Sequence, residues 1–219
     1  MTPGKRLTRG ALLAGAVAAV VAGASAGAAA AVGSSFTITP GGTITVTAPA
    51  VVLEDTATGT TLTCTSSSGT GGLTSGVSPS DGIFGTITAL TVSGCTGPQG
   101  QPFTITLDRF PFYFGGRTYN ATTGVTHGIL YKAHGELSGP ACTATLAGPS
   151  DPGGGRSDAR FRFSYANSSG KLKVLADSGF LLIYTVSGCT GLFDSGTTPD
   201  PASFSGAYTV SPKQTITSP

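Results

Sequence analysis

The chain is poor in the residues that carry out chemistry. Of 219 residues, 10% are charged, and the only histidines are His127 and His134. A serine-hydrolase base would have to be one of these two. Neither follows a sharp strand-to-helix turn, and no Gly-x-Ser-x-Gly element is present. No Cys-x-x-Cys spacing occurs, which argues against a zinc site. Glu54, Asp55, Asp108 and Glu136 could supply the carboxylates of a glycosidase, but nothing in their spacing pairs them. The glycine-rich stretch 151–156 lacks a following Lys-Ser/Thr, so it reads as a connection rather than a phosphate cradle. Only Arg156, Arg160 and Arg162 cluster, interrupted by Asp158, too few basic residues to neutralise a phosphate backbone. These absences predict no enzyme, no metal, no cofactor and no nucleic acid partner.

The start of the chain has the layout of a signal peptide. Lys5, Arg6 and Arg9 form a basic start, residues 11–23 are apolar, and residues 24–31 offer several Ala-x-Ala cleavage sites. We assign residues 1–30 to this leader, as a helix. Adjacent arginines for a twin-arginine route are missing. The first cysteine, Cys64, lies far from the cleavage region, and the polar C-terminus lacks the hydrophobic tail of a second anchor. A secreted, extracellular protein with no membrane anchor after cleavage is expected. Removing three basic residues leaves 12 − 3 = 9 against 10 acidic ones, a charge of about −1.

The hexapeptide Val-Ser-Gly-Cys-Thr-Gly occurs twice, at 92–97 and 186–191, and each copy ends a strand-like apolar run. Four cysteines allow three pairings, and in an exported chain they favour disulfides. The similarity of the two segments selects the local pairing, Cys64 with Cys95 and Cys142 with Cys189.

Beyond the leader, helical periodicity is essentially absent, and runs of Thr, Val, Ile, Phe and Tyr alternate with Gly and Pro. Strands are predicted at 36–39, 43–47, 51–54, 60–65, 85–92, 103–108, 128–133, 141–146, 159–166, 171–176, 180–187 and 202–210. Phe103, Ile105 and Leu107 oppose Thr104 and Thr106, while Phe161, Phe163 and Tyr165 oppose Arg160, Arg162 and Ser164. Residues 180–184 are apolar on both sides and should form a central strand. Turns at Ser169-Gly170 and Ser178-Gly179 predict a three-strand meander. The uncharged Thr-rich faces would leave sheet edges poorly protected against self-association. The fold class is all-β: an antiparallel β-sandwich with two internally related halves. One compact domain over 31–219 is favoured over two small domains at 31–115 and 116–219.

Arg109-Phe110-Pro111-Phe112-Tyr113-Phe114-Gly115-Gly116-Arg117-Thr118-Tyr119 is the one stretch with functional colour. Its phenylalanines suit a core plug between sheets. Tyr113, Tyr119, Arg109 and Arg117 form the candidate binding surface, because aromatic rings stack on sugars or anchor proteins while arginines donate hydrogen bonds.

The strings at 60–66 and 170–175, the paired Ser-Gly-Cys-Thr-Gly segments and Tyr208-Thr209-Val210-Ser211-Pro212 together resemble a group of small secreted proteins of streptomycete-like actinobacteria. The resemblance covers most of the chain after the leader. It implies export and origin, and it carries over no catalytic or binding residue. The expected role is a secreted structural or interaction protein, with a carbohydrate- or wall-binding module as the alternative. Its partner would be a protein or a cell-envelope glycan.

Overall fold

Threonine, valine and isoleucine at alternate positions favour extended backbone, because a branched side chain packs well on a half-buried pleated surface. The computed structural model describes residues 35–79, 81–149, 158–176, 180–189, 192–193 and 199–219. The leader, the glycine-rich stretch 151–156 and Ser178-Gly179 lie outside these. Among the described residues there are sixteen strands: β1 (Thr37–Thr39), β2 (Gly42–Ala48), β3 (Val51–Asp55), β4 (Thr60–Leu73), β5 (Gly76–Val77), β6 (Ile83–Thr96), β7 (Pro102–Leu107), β8 (Phe112–Asn120), β9 (Val125–Ala133), β10 (Gly135–Gly139), β11 (Cys142–Ala147), β12 (Ala159–Ala166), β13 (Lys171–Val174), β14 (Leu181–Ser187), β15 (Asp200–Ser211) and β16 (Thr215–Thr217). A single 3-10 turn at Pro98–Gly100 accompanies them. The fold is all-β, with antiparallel sheets packed on one another as in a sandwich.

A 13-stranded sheet is joined by a small sheet ordered β16-β1-β5. Strands β4, β6 and β15 span 14, 14 and 12 residues, long enough to serve two sets of neighbours end to end. One circuit of pairings runs β4–β6–β8–β9–β12–β13–β15–β2 and returns to β4. A second runs β4–β6–β7–β10–β11–β14–β15–β3 and returns to β4. Every strand of the large sheet therefore has a neighbour on each side. Closure, rather than charge, protects its edges. The position 115/116 falls inside β8, and β15 pairs with β2 and β3 from the first part of the chain.

The predicted meander forms only in part. Strands β12 and β13 pair through the Ser169-Gly170 turn, but β13 then pairs with β15 at 206–209 and β14 pairs with β15 at 200–202. Because β15 is long, β13 and β14 line up along it instead of pairing with each other. Strand β14 is central as expected, lying between β11 and β15.

Both disulfides form in the expected pairing, Cys64 with Cys95 and Cys142 with Cys189. The first joins β4 to β6 at directly opposed positions, and the second joins β11 to the residue two past the end of β14. Both disulfides take their second cysteine from the repeated hexapeptide. The glycine before the cysteine is left-handed in each copy, at φ 62° for Gly94 and 71° for Gly188. A side chain there would also strike Thr65 in the first copy and the Ala141 carbonyl in the second. Glycine thus lets each cysteine-bearing strand approach its partner.

The interior collects the inward set of each alternation. Phe84, Phe114 and Phe163 meet at ring-centre distances of 5.5–6.4 Å. A neighbouring cavity of about 60 Å³ is lined by aliphatic and aromatic side chains from both circuits, including Val92, Leu130 and Val174, with His134 at its wall.

Candidate functional site

Strand β8 contains the aromatic stretch, and a strand sorts it by parity. Phe112 and Phe114 are buried, and Tyr113 between them points to the outer face and is half-buried. The phenylalanines serve the core, as inward residues of a strand. Phe110 precedes the strand and stacks on Phe112 at 4.5 Å.

Two irregularities set the outer face of β8, β9 and β12. Between Gly116 and Thr118 the β8–β9 register shifts by one, so the bulge at Arg117 reverses the parity beyond it. Tyr119 therefore pairs with buried Thr126 and packs against the core, away from Tyr113. The second shift sets Tyr131 and Lys132 of β9 against the single residue Arg160 of β12. Lys132 adopts φ 66° there, in the left-handed region that disfavours residues with a Cβ.

These bulges assemble a site around Tyr131. Tyr113 and Tyr131 are directly opposed across β8 and β9. The Tyr131 ring reaches over Gly115, where a Cβ would stand 2.5 Å from Cε2 and 3.2 Å from the phenolic oxygen. Glycine clears the floor on which the ring lies. Arg117 Nη2 donates a hydrogen bond to the Tyr131 hydroxyl. The guanidinium carbons of Arg117 and Arg160 stand 5.8 and 6.0 Å from the Tyr131 ring centre, and Lys132 Nζ stands 4.9 Å from that of Tyr113. Arg162 is exposed on the same face of β12. Among the described residues, no carboxylate lies within ion-pair distance of Arg117, Lys132 or Arg160.

Of the candidate surface residues, Tyr113 and Arg117 share this face and Tyr119 does not. Arg109 is exposed and forms an ion pair with Asp158 at 3.3 Å. Tyr131, Lys132 and Arg160 were not predicted. The signal for them lies in Ile129-Leu130-Tyr131, where alternation sends Tyr131 outward, and in the Arg160/Arg162 alternation of β12.

The second titratable cluster is interior. His134 is buried at the cavity wall, and its Nδ1 lies 2.7 Å from Oδ1 of half-exposed Asp108. That carboxylate orients the ring by accepting from Nδ1–H. Among the described residues, no serine or threonine hydroxyl is bonded to the imidazole. His127 is exposed and opposes Ser164 and Thr118. No group of three or more His, Cys, Asp or Glu side chains is placed to hold a metal among the described residues. Comparison with protein-family models, with curated proteins and with solved structures finds no match.

Proposed function

We propose that this chain is a secreted, non-catalytic interaction protein of actinobacterial type that binds a cell-envelope glycan through the outer face of β8, β9 and β12. The observation that carries the reading is the Tyr131 ring lying over Gly115 with the guanidinium carbons of Arg117 and Arg160 standing 5.8 and 6.0 Å from its centre. A sugar ring presents an apolar C–H face and a polar rim. The first stacks on an aromatic ring and the second takes hydrogen bonds from arginine. Tyr113 extends the aromatic surface across the neighbouring strand. The strain held at Lys132 supports the same reading, because a lysine stands where glycine is easier. Two disulfides are compatible with an extracellular, oxidising location, and the leader supplies the route.

Binding isotherms against purified bacterial wall material test this, comparing the oxidised protein with a Tyr113→Ala, Tyr131→Ala variant of unchanged circular dichroism. Saturable binding that weakens tenfold or more in the variant is expected, about 1.4 kcal/mol or more. Equal binding by both proteins would rule out this face. Capture of a protein but no glycan would turn the reading to a protein partner.

A further inference from the structure

We infer that the glycan recognised is acidic, a polymer of pyranose units that each bear a carboxylate, as uronic acids do; this rests on the glycan reading above. Three cations, Arg117, Lys132 and Arg160, surround the two outward tyrosines and have no carboxylate partner among the described residues, and Arg162 is exposed on the same face. The chain without its leader is near neutral, yet Arg117, Lys132 and Arg160, three of its nine basic residues, converge on one face of three strands. A neutral sugar needs donors and acceptors in mixture. This site offers an excess of charged donors, which a carboxylate satisfies with two parallel bonds per guanidinium.

The geometry separates an acidic sugar from a bare polyanion. The carboxylate of a uronic acid projects from the rim of the sugar ring. Tyr131 gathers a ring and two guanidinium groups, whose carbons stand 5.8 and 6.0 Å from the ring centre, so a uronic acid packed against the tyrosine has its carboxylate within reach of a guanidinium. The neighbouring Tyr113–Lys132 pair, at 4.9 Å, repeats the combination of ring and cation for a second unit. A polyphosphate would use the cations but leave both rings unstacked.

The test is calorimetric titration of the oxidised protein with three probes: oligogalacturonate, the same oligomer with its carboxyls methyl-esterified, and inorganic polyphosphate. Binding to oligogalacturonate at least tenfold tighter than to either other probe is expected, and it should weaken as salt rises from 50 to 300 mM. The Arg117→Gln, Arg160→Gln variant should lose that preference, its affinity for oligogalacturonate falling much further than its affinity for the ester. Equal affinity for acid and ester would overturn the acidic specificity and leave glycan binding standing. Equal affinity for polyphosphate would overturn it in favour of charge alone. Binding to none of the three, together with none to wall material, would remove the glycan reading as well.

Discussion

Lys132 shows what a single residue can hold in tension. At φ 66° a side chain crowds its own carbonyl, which costs about 1 kcal/mol that glycine would not incur. Lys132→Gly should therefore stabilise the protein by about 0.5–1 kcal/mol in urea unfolding while weakening glycan binding; stabilisation with unchanged binding would show that the lysine has no part in the site. Two interior tyrosines give a second prediction. Burial raises the pKa of Tyr165 and Tyr208 above the ordinary value, outweighing the hydrogen bonds with Gln214 and Ser67 that act the other way. The folded state thus holds these protons more tightly than the unfolded state does. Their contribution is fully present below about pH 10 and is lost as pH rises through the raised folded values. The urea midpoint should fall between pH 9.5 and 11.5, and Tyr208→Phe should flatten that fall. Much at this scale was legible in the sequence: the cysteine pairing followed from a repeated hexapeptide, and Phe161, Phe163 and Tyr165 turned inward as their alternation required. Tyr119 was not legible, because one extra residue at Arg117 reversed its face, and a bulge leaves no mark in composition.

At the scale of elements, strand β12 was readable to its ends because arginine and phenylalanine alternate without interruption. Strand β8 was not. No strand was predicted there, and both glycines of its Gly115-Gly116 pair serve close approach: Gly115 lies beneath Tyr131, and Gly116 faces Phe36. Strand β4 likewise runs on through the Ser/Gly-rich residues 66–73, where the sequence suggests a loop. Gly69 and Gly71 let it lie against β6. The hairpin predicted between β13 and β14 failed for a different reason, namely competition from a longer strand that local sequence does not reveal. The repeated glycine makes the element-level prediction. Gly188→Ala combines a positive φ with a clash against the Ala141 backbone, which cannot swing aside as a side chain can. It should cost about 2 kcal/mol or more, measured as a shift in urea midpoint with unchanged slope. A cost below about 0.5 kcal/mol would mean that the β11–β14 junction tolerates a different path.

For the molecule as a whole, closure and cross-linking carry the argument. Two pairing circuits share β4, β6 and β15, and the disulfides pin β4 to β6 and β11 to the end of β14. The cysteines are 31 and 47 positions apart, loops for which the chain-entropy estimate is about 4 kcal/mol each. Reduction should lower the unfolding free energy by several kcal/mol, and a change below about 1 kcal/mol would place the stability in sheet closure alone. This rigid scaffold is what holds Tyr131, Tyr113 and their cations in register, and that register is the central claim. The most direct measurement is a two-dimensional aromatic NMR titration of tyrosine-labelled protein with soluble wall glycan fragments. The chain has six tyrosines, and Tyr165 and Tyr208, buried in the core, serve as internal controls. Progressive, saturable shifts at Tyr131 and Tyr113 with none at Tyr165 and Tyr208 are predicted. Saturation with shifts elsewhere, or no shift at Tyr131, would contradict the account.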